Sequence, residues 1–254
     1  MVKKFFERFY IGIILLFLYA PILILIILSF NQSKSRAKWG GFTLHWYKEL
    51  FQNKDIMNAL YTTLLIAFLS ALIATIIGTT AALAMNSMKK TPRTILMGIT
   101  NIPMLNADIV TGISLMLIFV ALRFSLGFTS VLIAHITLLS VMPKLRQLNP
   151  NTYEAALDLG ASPMVAFFKV ILPDIFSGVI SGFFLAFTMS LDDFVITHFT
   201  KGPETNTLST KIYTEVRKGI KPEMYALSTL LFVTVLLLLI IINRKSAMKK
   251  TAHS

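Results

Sequence analysis

The sequence predicts an all-α polytopic membrane protein with six transmembrane helices, and three observations carry that expectation. Of its 254 residues 55% are hydrophobic and only 14% are charged, too few polar groups to coat a soluble globule of this size. The mean hydropathy is +0.72. Marking every charged residue leaves uncharged gaps of the length a helix needs to cross a bilayer, about 20 residues. The formal charge of +12 would suggest a nucleic-acid surface in a soluble protein, but in this class it reads first as a topology signal, with no nucleic-acid partner. The absence of cysteine excludes disulfides, thiolate metal sites and thiol nucleophiles. His45, His135, His198 and His253 are too scattered for a metal cluster, so neither metal nor cofactor is expected.

The spans fall at roughly 10–30, 60–85, 95–122, 126–143, 175–191 and 224–243, within a single transmembrane domain covering 1–254. The first has the basic start of a signal peptide, but its apolar core, Ile11–Phe30, is longer than a signal h-region. Tyr19-Ala20-Pro21 is also a poor cleavage site, so the segment is expected to stay as a helix that tolerates or kinks at Pro21. On the second span Ser70, Ala74 and Gly78 fall four apart, a small-residue stripe that permits close helix approach. The third is apolar except for Asp108, and Asn101, Pro103 and Asn106 suggest that it is broken, as helices lining transporter sites often are. Asp108 lies ~22 Å of helix beyond Arg93, where an ionised side chain costs up to roughly 2.5–3.5 kcal/mol and should face a cavity or a partner. The alternative role for Asp108 is to cap a helix Ile109–Leu122. The fourth and fifth spans are among the shortest. His135 in the fourth reads as a packed neutral histidine rather than a proton relay. Gly178 and Gly182 on the fifth could contact a sister subunit or pack internally.

Six spans put both termini on one side. With the termini in the cytoplasm, thirteen basic residues lie inside and eleven outside, and the inside ones hug the span ends, where the positive-inside rule has its force. The basic tail Arg244–Lys250 then anchors near anionic headgroups. Trp39, Trp46, Tyr47 and Phe51 in the first outer loop suit an aromatic belt or a surface for a partner protein.

The chain contains no G-x-x-x-x-G-K-[ST], G-x-S-x-G or H-E-x-x-H sequence, so it is not expected to be an enzyme. Transport against a gradient then needs an ion gradient or a partner ATPase, and a partner needs a docking element. The cytoplasmic segment 149–173, "NPNTYEAALDLGASPMVAFFKVILP", has the form of one. Asn149 with Pro150 can start a helix, Gly160 can end it in a left-handed conformation, and Ser162-Pro163 can start a second, giving a two-helix elbow. Pattern alone also allows an amphipathic pair lying on the bilayer. Sequence resemblance separates the two. Glu154-Ala155-Ala156, three residues, Gly160, nine residues and Val170-Ile171-Leu172-Pro173 resemble the E-A-A loop of ABC importer permeases, with Val170 in place of isoleucine. The resemblance implies a type I ABC importer permease fold in which Glu154, Ala155, Ala156, Gly160 and Ala161 couple the membrane helices to an ATP-binding subunit.

Asp192 and Asp193 follow the fifth span directly. They read either as solvated residues at the outer membrane edge or, beside Phe194 and Phe199, as paired anions for an organic cation. The stretches "ADIVTGISLMLIF", "SLDDFVITHFTKGP" and "KIYTEVRKGIKPEMYALSTL" resemble the second permease subunit of spermidine/putrescine ABC importers over nearly the whole chain. One departure is that after "SVLIAHITLL" the family's fourth helix continues with further apolar residues, whereas this chain passes quickly to "SVMPKLRQLNP". The resemblance implies a polyamine importer in the cell membrane, built from this chain, a second permease, two ATP-binding subunits and an extracytoplasmic polyamine-binding protein. Asp108, Asp192 and Asp193 are then the substrate-binding acids. The competing expectations are a permease of the same build for another solute, and an ion-coupled carrier using Asp108 or His135 as its proton site.

Overall fold

The computed structural model describes residues 2–86, 88–140, 157–234 and 236. Within them the regular elements are helical, and the one β feature is an isolated bridge between Asn31 and Phe42. The chain divides into two compact units, Met1–Met57 with Ile212–Ser254, and Asn58–Lys211.

In the first unit, α1 (Val2–Ser29) runs unbroken through Pro21, the tolerated alternative. Its apolar side chains stay exposed, Phe17 at 80%, as suits a helix whose solvent is hydrocarbon and whose backbone satisfies itself. After it the chain folds around Asn31. The Asn31 side chain donates to the Lys38 carbonyl at 2.9 Å and accepts from Gly40 N at 2.8 Å and Ser33 N at 3.1 Å, while its carbonyl accepts from the Trp46 indole at 2.7 Å. Trp46 and Leu50 on α2 (His45–Gln52) are buried. Ser29 Oγ donates to the Ile26 carbonyl, which leaves the Tyr47 hydroxyl, 2.8 Å away, as donor to Ser29. Trp46 and Tyr47 thus build the loop's interior, whereas Trp39 and Phe51 are exposed. Asn53 Oδ1 accepts from the Asp55 and Ile56 amides and caps α3 (Lys54–Asn86). Helix α10 (Leu208–Lys218) enters this unit and leads to the last helix among the described residues, α11 (222–234), whose Met224–Leu227 turn is buried.

The second unit holds the rest of α3, with α4 (Lys90–Leu105), α5 (Asp108–Ala121), α6 (Phe128–Ser140), α7 (Pro163–Ala166), α8 (Leu172–Asp192) and α9 (Val195–Thr200). The small-residue stripe on α3 packs as expected. Ser70 and Ala74 are buried, Ala71 and Ala74 join Leu139 and Ala186 in a core under Phe183 and Phe187, and a Cβ at Gly78 would meet the Ser140 carbonyl at 3.5 Å. Gly182 is buried inside the subunit. The predicted third span is two helices, parted by extended backbone at Asn106 and Ala107. Helix α5 closes on the Phe124 N to Phe119 O and Arg123 N to Val120 O bonds, with Arg123 at φ 54 in the left-handed position usually given to glycine. The described part of the fourth span, α6, has 13 residues, ~20 Å of helix. The continuations of the fourth and sixth spans lie outside the described residues.

Fold and expectation differ in the segment expected to be cytoplasmic. The second short helix, α7, is not a separate limb, because it runs through a π turn (Phe167–Ile171) straight into α8. Pro173 has no amide hydrogen for an α-helical bond, and the wider turn, in which Leu172 N donates to Phe167 O, carries the chain past it without a break.

Candidate functional site

Two breaks in helical structure build the site. At the first, Ala107 occupies the N-cap position of α5 with no side-chain capping bond, so Asp108 is the opening residue of the helix. Asp108 therefore does not cap. It sits in the first turn, where the helix dipole favours an anion. At the second, α8 ends at Asp192, Asp193 is extended, and the chain reverses into α9. Helix α9 lies against α5 because Gly112 has no side chain: a Cβ there would meet the Phe199 ring at 3.1 Å and Ile196 Cα at 3.4 Å. Ile196 fills a core with Phe119 and Ala134.

The reversal is held by Asp193. Its Oδ1 accepts from Ile196 N at 3.3 Å, and its Oδ2 accepts from Thr197 N at 2.8 Å, from the Thr197 hydroxyl at 2.9 Å and from His135 Nε2 at 3.2 Å. An ionised carboxylate only accepts, so Nε2 carries the hydrogen, shared with Thr197 Oγ1 at 3.0 Å. The other ring nitrogen, Nδ1, faces Ser190 Oγ at 2.6 Å, and Ser190 in turn faces Ser70 Oγ at 3.1 Å. His135 is 3% exposed, so it is packed, as its sequence context suggests. It ties α6 to both sides of the chain reversal.

Over this network lies a cavity of about 310 Å³ lined by Asp108, His135, Leu138, Leu139, Thr188, Met189, Ser190, Asp192 and Asp193. The volume is at the lower end of the ~300–1,000 Å³ usual for small-molecule sites. Asp108, Asp192 and Asp193, 84 to 85 residues apart across the two breaks, share one cavity. Their states differ. Asp193 is committed to four protein donors, whereas Asp108 and Asp192 are exposed and form no hydrogen bond or ion pair among the described residues. The nearby Lys201 does not neutralise them. Its ammonium donates to Asn206 Oδ1 at 2.8 Å, and partial burial lowers its pKa. Two carboxylates with no partner among the described residues and a third held in place line this cavity together with the apolar Leu138, Leu139 and Met189. The sequence marks Ser70 only as part of a small-residue stripe and gives no signal for Ser190 and Thr197; these residues meet His135 or each other over separations of 55 to 120 residues.

In the segment expected to dock an ATPase, Glu154, Ala155 and Ala156 lie outside the described residues. Gly160 has φ +86, the left-handed turn expected of it, with its amide bonded to Leu157 O at 2.9 Å. Ala161 is half-buried beside it. Beyond the turn, Met164, Val165 and Phe168 project from the helical run, while Ala166 and Ile171 are buried and anchor it. Leu159 is 89% exposed at the turn itself.

Comparison with known proteins converges on one family. The model for binding-protein-dependent transport system inner membrane components matches residues 74–245. The chain is 39% identical over 228 residues to the putrescine transport system permease protein PotI of Escherichia coli (strain K12), covering 85% of this chain and 81% of that one. It is 35% identical over 255 residues to the spermidine/putrescine transport system permease protein PotC of Haemophilus influenzae, covering 97% and 99%. In three dimensions it matches a bacterial ABC transporter involved in the import of the acidic polysaccharide alginate, with a TM-score of 0.72 over 96% of both chains at 13% sequence identity, a likeness of fold alone. The all-helical permease architecture expected from the sequence is thereby borne out. The ion-coupled carrier is set aside, since an inner membrane component of this kind works with an ATPase, a substrate-binding protein and a second permease. It is a transport subunit rather than a catalyst. With the family model matching most of its length and the two permeases aligning with nearly all of it, the chain belongs to the binding-protein-dependent transport system inner membrane components, the multi-pass permease subunits of ABC importers.

Proposed function

We propose that this chain is one of two different permeases in a polyamine importer, with Asp108 and Asp192 receiving ammonium groups of the cargo and Asp193 closing the anionic slot behind them. The observation that carries the reading is the meeting of two unpartnered carboxylates with a third in one cavity between broken helices, in a chain whose relatives are named for putrescine and spermidine transport. A polyamine is an extended chain of ammonium groups joined by methylenes, so it needs separated anions with apolar surface between them, which this lining supplies.

Both termini are cytoplasmic in this reading. One of two ATP-binding subunits engages the segment around Glu154, Ala155, Ala156, Gly160 and Ala161, and an extracytoplasmic polyamine-binding protein delivers the cargo. Coupling has a direct mechanical route. Residues 163–192 form one helical run, ~45 Å long, with exposed Met164, Val165 and Phe168 near one end and Ser190 and Asp192 at the other. Closure of the ATPase on the first end would tilt the second, moving the acids against Asp108 on α5. The test is uptake and ATPase activity of the reconstituted complex with spermidine, putrescine and an uncharged solute. Polyamine-stimulated hydrolysis with uptake supports the reading, and equal stimulation by the uncharged solute refutes it.

A further inference from the structure

We propose that His135 is the residue through which protons set the cation affinity of this cavity. The inference rests on the polyamine reading for its cargo and on the geometry of the histidine for everything else.

The network around His135 can accept a proton without leaving any group unpaired. In the neutral state Ser70 donates to Ser190, Ser190 donates to Nδ1, and Nε2–H is shared by Asp193 and Thr197. When Nδ1 gains a proton the hydroxyls turn round: Nδ1–H donates to Ser190, Ser190 donates to Ser70, and Ser70 donates to the Ala67 carbonyl, 3.3 Å away. The Nδ1–Ser190 and Ser190–Ser70 contacts are used in both states, and the protonated state adds the bond from Ser70 to the Ala67 carbonyl, so protonation changes the charge of the cavity wall and not its shape. A histidine packed only for stability needs one such arrangement, whereas this one has two.

Of the charged and titratable groups on the packed elements, Asp108 on α5, Asp192 at the end of α8 and Asp193 line the cavity with His135; His198 lies on α9, and Ser70 is what α3 contributes to the network. With His135 neutral, three carboxylates face the cargo. With His135 protonated, one is offset at its closest contact, and a positive charge joins the lining of a site for cations. Affinity therefore falls as pH drops through the histidine range, and linkage requires that bound cargo in turn oppose protonation of His135. His198, stacked on Phe194 at 5.2 Å and edge-on to Phe199, does not line the cavity.

The experiment uses the reconstituted complex with spermidine. Between about pH 8 and about pH 5.5 the wild-type KM should rise about tenfold at nearly constant kcat. His135→Gln keeps an amide donor for Asp193 and Thr197 but does not titrate, so its KM should be the same at both ends. Ser190→Ala removes the acceptor of the protonated form and should move the rise towards acid. His198→Gln should retain the wild-type profile. A flat wild-type profile, or a rise retained in His135→Gln, overturns the proposal while leaving polyamine transport intact. Absence of spermidine uptake at any pH refutes the cargo instead. In that case nitrogen NMR of His135 in the cargo-free complex decides the proposal: interconversion of the Nε2–H tautomer and the cation within this window sustains it, and a histidine neutral throughout overturns it.

Discussion

The division between committed and free carboxylates leads to a charge-by-charge prediction. Asp108→Asn and Asp192→Asn each remove one anion that has no partner among the described residues, so assembly and thermal stability should stay at wild-type levels. The magnitude follows from where the groups sit. A carboxylate about 4 Å from an ammonium gains ~1 kcal/mol in bulk water and ~4 kcal/mol near a protein surface, and both residues are exposed at the cavity wall, so roughly 1–2.5 kcal/mol applies to each. That corresponds to a KM for spermidine raised about 5- to 60-fold per substitution. The double variant should approach the product of the two effects, because a polyamine offers each acid its own ammonium. Asp193→Asn should behave differently. Its carboxylate accepts from two backbone amides, a hydroxyl and a buried histidine, and losing such a set costs about 3–5 kcal/mol of stability. The assay is uptake at low spermidine in proteoliposomes, with the unfolding temperature of the purified complex measured in parallel. Wild-type KM in both Asp108→Asn and Asp192→Asn would refute the proposed site. An Asp193→Asn complex that melts like the wild type would refute the distinction between the acids.

Three further perturbations test the scaffold and the coupling segment. Gly160→Ala meets open space but forces a side chain onto φ +86, costing about 1–2 kcal/mol in the turn; cargo-stimulated ATPase activity should fall while the subunits still co-purify, and full stimulation would argue that the turn is not needed for coupling. At Gly202 a Cβ would fall on the Leu126 carbonyl oxygen, a backbone atom with little room to yield. Gly202→Ala should lower stability by about 1–3 kcal/mol, read as a reduced melting temperature. Asn31→Ala leaves the Gly40 amide and the Lys38 carbonyl unpaired in a loop whose Asn31 is only 2% exposed. It should cost about 1–3 kcal/mol for each group and make residues 32–42 sensitive to limited proteolysis, whereas an unchanged digestion pattern would show that Asn31 is not the hub.

Much of the architecture is legible in one dimension because a bilayer imposes one-dimensional rules. A crossing helix must be long and uncharged, so charge gaps mark the spans, and the Ser70, Ala74 and Gly78 stripe marks a packed face. The helix break near Asp108 is legible for the same local reason, since Asn and Pro residues interrupt the apolar run just ahead of it. The capping role offered to Asp108 is not what forms, because the break falls one residue earlier than a cap requires. The merging of α7 with α8 escapes sequence reading as well. Proline is a signal to stop in most helices, and only the π turn before Pro173 lets this one continue.

By itself, then, the sequence determined the class, the permease family and the presence of scarce acids in a basic chain. Only the tertiary structure decided which partners those acids find. Asp192 and Asp193 are neighbours of the same type, yet one is free and the other is bound by four donors. Three of those donors belong to Ile196 and Thr197 in the turn that follows, and the fourth is a histidine 58 residues away, itself backed by Ser190 and by a serine 120 residues before that. Neither helical period nor local composition reaches across such distances. Hydrogen bonds depend on which groups the packed helices bring within about 3 Å, and that is settled only when α3, α5, α6, α8 and α9 close around one another.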